Sequence, residues 1–207
     1  MINAHKLLKR FEMFDFESRF VNRYKPKYSL YDLINDDLKN LPEGSFGKDF
    51  YNHLNQDKSS IDALYKIYRN ESDSKKVTQY KKDWCVVHDL QHFITGYDTS
   101  LVGEGLMFSF SLRHELRPTI IAIIIYYAVQ QLFKRKGFIK SKYWINLVRE
   151  ANRLSKHTKW FMSIDWREKF AKPTEQVLKE IGVYEKPELW ILSKGYINHH
   201  QRYKGEI

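Results

Sequence analysis

His88, Asp89 and His92 fall within five consecutive positions, and Glu104 follows after eleven intervening residues; no other segment of the 207-residue chain gathers ligand-type side chains so closely. On an α-helix, at 100° per residue, His88 and His92 lie about 40° apart and Asp89 about 100° from His88, so one face presents three donors. Gly96, Asp98 and Thr99 read as a turn, because Gly supplies unusual backbone angles and Asp bonds its own backbone there. Thr99 or Ser100 is then placed to N-cap a second helix that carries Glu104 about one turn in. An antiparallel pair joined so tightly brings Glu104 back towards the histidines. The sum is two imidazoles with one or two carboxylates, a mixed nitrogen and oxygen shell suited to zinc or ferrous iron. The spacing therefore predicts a metal site built from His88, Asp89, His92 and Glu104, with zinc the first expectation and iron the alternative.

The pattern is not that of a metalloprotease. In His-Glu-x-x-His the Glu reaches past the metal as a general base; Asp89 is one methylene shorter and suits a ligand, or a partner that fixes a histidine tautomer. An isolated His-x-x-x-His pair is most often plain surface, and the flanking acid and the spaced Glu distinguish this one. Cys85, the only cysteine, sits three residues before His88 and reads as a small core residue among Trp84, Val86 and Val87 in preference to a ligand.

His-Asp-x-x-His-x11-Glu, with Gly96 between and Gly103 before the Glu, resembles the metal motif of the coenzyme Q (ubiquinone) biosynthesis protein Coq-four family. Leu41-Pro42-Glu43-Gly44-Ser45-Phe46-Gly47 is similar to that family's segment upstream of the motif. Trp160 to Gly182, with Trp166 and the Leu178-to-Gly182 ending, is similar to its closing helix. The likeness covers roughly residues 28 to 185; Met1 to Lys27 matches weakly, and Pro187 to Ile207 stands as an extension. The resemblance implies oxidative decarboxylation, removal of the ring carboxyl of a polyprenylated hydroxybenzoate coupled to hydroxylation at the same carbon. The other class is a non-enzymatic isoprenoid-lipid-binding scaffold for quinone-synthesising enzymes, its metal structural. Other quinone-biosynthesis proteins are implied partners, and a homodimer is compatible with the family. Zinc has no redox chemistry, so an oxygen-dependent step needs ferrous iron or electrons drawn from the phenol. General-base candidates beyond the ligand set reduce to His114 and Glu115. A metal phosphohydrolase needs an upstream His and a downstream Asp, for which His53 and Asp165 are available.

The rest of the chain reads as one all-α domain spanning residues 1–207, a multi-helix bundle with an apolar channel. With 43% hydrophobic and 15% aromatic residues it has ample material for a core. Thirty-five basic against 25 acidic residues give +10, which calls for an anionic partner such as a membrane surface, an acidic small molecule or nucleic acid. Lys134 to Lys159 carries nine Lys or Arg against Glu150, hence +8, around an apolar stripe of Tyr143, Trp144, Leu147, Val148, Ala151 and Leu154; this predicts an amphipathic helix with a cationic face. Without a zinc finger, RNA-recognition motif or Gly-x-x-Gly clamp, nucleic acid is the disfavoured partner. A basic face near an apolar channel suits a protein that draws a prenylated, anionic molecule from a membrane.

Leu7, Leu8, Phe11 and Phe14 predict an amphipathic helix within residues 1–27, packed on the core or laid on an anionic membrane. Further helices are expected from Tyr28 to Leu38, Lys48 to Leu54 and Ile61 to Tyr68. Asp73 or Ser74 is placed to cap the motif helix, and the helix of Glu104 is expected to run to about Glu115. Ile120 to Val129 is apolar on every side, too short to span a bilayer, and reads as a buried helix or the wall of a ligand channel. Asp165 to Glu168 has capping-box spacing, and Pro173 opens a last helix. His199 and His200 read as a solvated pair. One cysteine, no secretory signal and no spanning segment predict a cytoplasmic protein peripheral to a membrane, which in a eukaryote would be the matrix side of the inner mitochondrial membrane.

Overall fold

The computed structural model describes residues 19–36, 38–56, 61–114, 121, 124–126, 129 and 141–192. Their regular structure is helical, with no strand among the described residues and one isolated β-bridge, Ser45 to Pro173. The chain divides into two compact units, Met1–Ile94 with Lys159–Gly182, and Thr95–Thr158 with Val183–Ile207. The helices are α1 (Arg19–Arg23), α2 (Leu30–Asp36), α3 (Phe46–Gln56), α4 (Ile61–Tyr68), α5 (Lys75–Thr95), α6 (Leu101–Ser111), α7 (Ser141–Leu154), α8 (Arg167–Phe170) and α9 (Thr174–Glu180).

In the first unit, α3 begins where Ser45 Oγ accepts the Lys48 N–H (3.4 Å), an N-cap that satisfies one orphan donor. Phe46 and Phe50, one turn apart and fully buried, meet Phe93 of α5, Trp166 and Phe170 at ring separations of 5.3 to 6.4 Å. Aromatic side chains bury the largest areas available, so this stack is the centre of the unit. The returning segment is tied in by backbone bonds: Phe46 N–H to Lys172 O (2.8 Å) and Lys159 N–H to Ile181 O (3.0 Å). Asp165 accepts the Tyr28 hydroxyl at 2.8 Å and so joins two distant stretches, while the N-cap of α8 is Trp166, one residue past the Asp165 that the capping-box spacing expects, and makes no side-chain cap bond.

Helix α5 is capped by Ser74, whose Oγ accepts the Val77 N–H (3.3 Å). Asp83, buried on α5, accepts the Tyr31 N–H (2.8 Å) at the start of α2, Gln79 Nε2 (2.8 Å) and the Tyr24 hydroxyl. Burial raises its pKa, and these donors oppose that rise.

In the second unit, α6 packs against α7. Every residue from Val102 to Ser111 is buried, and the hydroxyls this traps are satisfied along the helix, Ser109 Oγ on Gly105 O (2.7 Å) and Ser111 Oγ on Met107 O (3.1 Å). The α7 stripe facing the core is Trp144, Leu147 and Ala151, with Arg149 and Arg153 exposed, as the amphipathic reading of that basic segment expects. Helix α6 ends at Ser111 and is followed by a turn to His114, slightly short of the expected Glu115.

Ile121, Ile125 and Val129, at helical spacing in the apolar run, are 41%, 56% and 39% exposed, so the buried-helix alternative does not hold for these described residues: an apolar side chain is not buried unless a neighbour reaches it. No helix among the described residues is long and apolar enough to cross a membrane. The N-terminal segment to residue 18 and His199 and His200 lie outside the described residues.

Candidate metal centre

Helix α5 runs uninterrupted from Lys75 to Thr95, so the i, i+4 relation of His88 and His92 survives folding. Their ring centroids are 4.7 Å apart. Trp84, one turn earlier, brings its ring to 5.6 Å from that of His88. His88, Asp89, His92 and Glu104 are all buried, between 3% and 7% exposed. Four ionisable side chains so placed are costly unless paired or bound to a cation.

Three of them form one group. His88, His92 and Glu104 each offer a ligand atom, and these atoms lie within 4.8 Å of one another, the one such cluster among the described residues. Ligands about 2.1 Å from a tetrahedral cation stand roughly 3.4 Å apart, so a modest contraction of the side chains closes the set. Two nitrogens and one oxygen also match, in type and number, a site that keeps a position open. The residues present therefore fit a divalent cation.

Asp89 lies outside this group. Its Oδ1 is 3.1 Å from His88 Nδ1, which leaves Nε2 as the nitrogen His88 can give to a ligand. This is the arrangement in which a carboxylate fixes the ring and tautomer of a ligating histidine.

The connection from α5 to α6 depends on two glycines. Gly96 has φ +69°, a left-handed conformation that ends α5. Gly103 faces a different constraint: a Cβ there would stand 1.9 Å from Asp98 O, inside the peptide backbone. Asp98 Oδ1 accepts the Ser100 N–H (3.1 Å), Ser100 Oγ accepts the Gly103 N–H (3.2 Å), and Ser100 O accepts the Glu104 N–H (2.8 Å). Of the two anticipated caps, Ser100 is the one used.

The other candidates are placed elsewhere. Cys85 is fully buried in α5 and outside the ligand group. His114 Nε2 is 2.7 Å from Thr158 Oγ1. His53 rests against the Phe93 ring at 5.5 Å, and neither it nor Asp165 joins the three-residue group. Glu115 lies outside the described residues.

A cleft of about 260 Å³ that the sequence did not announce lies within the first unit, lined among others by Arg23, Tyr24, Tyr28, Asp83, Val87 and Trp160. Arg23 lies over the Trp160 ring (4.4 Å), and burial pushes the Tyr28 hydroxyl up to about 12. The signal available in sequence was the alternation of basic and aromatic residues from Arg23 to Tyr28, which reads as a linker around Pro26.

Comparison with known proteins agrees with the motif. A family model described as Coenzyme Q (ubiquinone) biosynthesis protein Coq4 matches residues 3–187, taking in the N-terminal stretch where motifs alone were weak. The ubiquinone biosynthesis protein coq4, mitochondrial, of Aspergillus fumigatus is 25% identical over 173 residues, 83% of this chain and 58% of that protein. The rat protein named ubiquinone biosynthesis protein COQ4 homolog, mitochondrial, is 23% identical over 175 residues, 84% of this chain and 63% of its own length. The chain thus spans under two thirds of these curated relatives. A crystal structure from Nostoc punctiforme, provisionally described as a ubiquinone biosynthesis protein, shares the fold with a TM-score of 0.56 at 20% identity, covering 88% of this chain and 83% of that one.

Proposed function

From a chain that belongs to the coenzyme Q (ubiquinone) biosynthesis protein Coq4 family, we propose a metal-dependent protein that removes the ring carboxyl of a polyprenylated hydroxybenzoate, by oxidative decarboxylation, at a membrane surface. The observation that carries this reading is the buried group of His88, His92 and Glu104. When bound there, a divalent cation supplies positive charge that stabilises the negative charge developing on the substrate as carbon dioxide leaves. His88 and His92 would give it nitrogens and Glu104 an oxygen. Asp89 holds the His88 ring, and the burial of all four side chains keeps bulk water from competing with substrate.

Two features support the membrane side of the reading. Arg149 of α7 is exposed, and an anionic membrane attracts such charge, while Arg153 is paired with Glu185 at 2.5 Å. The exposed row Ile121, Ile125 and Val129 offers apolar surface of the kind that marks interaction sites. The same row favours the second reading, a lipid-binding scaffold with a structural metal.

Purified protein incubated with a prenylated hydroxybenzoate carrying a labelled ring carboxyl separates the two. The catalytic reading expects labelled carbon dioxide, lost in His88→Ala and Glu104→Ala and after chelation. Tight lipid binding without release of label, or release that persists in metal-free protein, overturns it.

A further inference from the structure

The segment that follows the family match, residues 188–192, is helical and has almost no core of its own. Ile191 and Leu192 are 53% and 69% exposed, while Trp190 between them and the described chain is 2% exposed. Among the described residues, four contacts tie the segment to the rest of its unit. Leu189 N–H donates to Glu150 Oε1 of α7 (3.0 Å), and Tyr143 OH of α7 donates to Leu189 O (3.1 Å). Trp190 Nε1 donates to Gly96 O (2.9 Å), and the Trp190 ring meets the Tyr97 ring edge-on at 5.9 Å.

Two of these four contacts fall on the turn that joins the ligand-bearing helices. Gly96 is also the residue whose left-handed conformation ends α5, so its carbonyl position reports the path of the whole turn. Two residues further on, local bonds run from Asp98 through Ser100 to the Gly103 and Glu104 amides. A tether on Gly96 is therefore a tether on the backbone that carries Glu104.

We propose that Trp190 is a positioning residue, which clamps the Gly96 turn and thereby sets the approach of Glu104 to a divalent cation. The cation part of this rests on the metal reading above; the clamp itself does not. Docking of residues 187–192 and binding of the cation are then linked, and each strengthens the other by the same factor.

Trp190→Phe keeps an aromatic ring against Tyr97 and removes the N–H donor. Hydrogen exchange is measured on the full chain without added metal, and zinc affinity by chelator competition well below the melting temperature. In the variant, amides of residues 96–104 exchange about fivefold faster, the effect of one lost hydrogen bond of ordinary net strength, while those around Gln79 and Asp83 are unchanged. The zinc dissociation constant rises by a similar factor, and zinc slows exchange at Leu189 in the unaltered chain. Faster exchange confined to residues 187–192 overturns the clamp, and an unchanged zinc constant overturns its link to the cation. Should the unaltered chain take up no zinc, the metal reading fails and the exchange of residues 96–104 alone decides the role of Trp190.

Discussion

His88 Nδ1 stands 3.1 Å from Asp89 Oδ1, a contact between neighbours in sequence that turns one ring nitrogen away from any ligand and commits the other to it. Adjacent residues on a helix project about 100° apart, so the Asp side chain can reach back to the ring edge without entering the space in front of it. On the metal reading proposed above, the His-Asp pair is a ligand and its orienting partner.

Asp89→Asn tests that division of labour. The amide keeps the size and loses the charge that fixes the ring, and losses of this kind typically weaken metal binding by about ten- to a hundredfold. Zinc or ferrous iron affinity, measured by competition, is expected to fall by that amount while His92→Ala loses stoichiometric metal altogether. Equal losses in the two variants would make Asp89 a ligand after all.

Gly103 and Gly96 should differ in their tolerance of a methyl group. At Gly103 the new Cβ meets the Asp98 carbonyl at 1.9 Å, so backbone must move, which costs about 1–3 kcal/mol. At Gly96 the space is open and only the φ of +69° is unfavourable, costing about 1 kcal/mol. Urea unfolding is expected to rank Gly103→Ala below Gly96→Ala, and the reverse order would mean that the close approach of Asp98 is relieved by easy motion.

Acid should loosen the closing helix through Glu180. Lys169 at 2.5 Å, then Lys172 at 2.9 Å and Gln176 at 2.8 Å hold its carboxyl at about 2, against an ordinary value of 4.5. A carboxyl whose folded pKa is depressed contributes stability above its unfolded pKa and loses it as pH falls towards the folded one. The melting temperatures of the unaltered chain and Glu180→Gln are thus expected to differ by a constant amount above about pH 5.5 and to converge between 4.5 and 2. A gap that does not change with pH removes the ion pairs as its source.

The helical pattern and the gathering of His88, His92 and Glu104 were legible because they are local. His88 and His92 are bound by helical period, Ser74 and Ser100 by capping chemistry, and Glu104 by the length of one turn. Asp83 was not legible: its partners Tyr24 and Tyr31 stand 59 and 52 residues away, and no short-range pattern encodes an N-terminus capped from another helix. Nor was Trp190, whose acceptor Gly96 O is 94 positions distant. The exposure of Ile121, Ile125 and Val129 was missed for a related reason, since periodicity reports which residues are apolar and not which neighbours arrive to cover them.

Cation binding should appear as stability even where turnover is not measured. A ligand that binds the folded chain alone adds RT ln(1 + [L]/Kd), about 2.7 kcal/mol at a free concentration of one hundred times Kd. For a chain of this length that is a rise of about 5–10 °C in melting temperature. Zinc is expected to produce it in the unaltered chain and chelation to reverse it. Glu104→Ala removes the oxygen donor contributed from α6 and leaves both imidazoles on α5, so the shift should fall to that of the His88 and His92 pair alone. A full shift in Glu104→Ala would place the stabilising cation somewhere other than the three-residue group, and with it the premise that this group holds the metal would go.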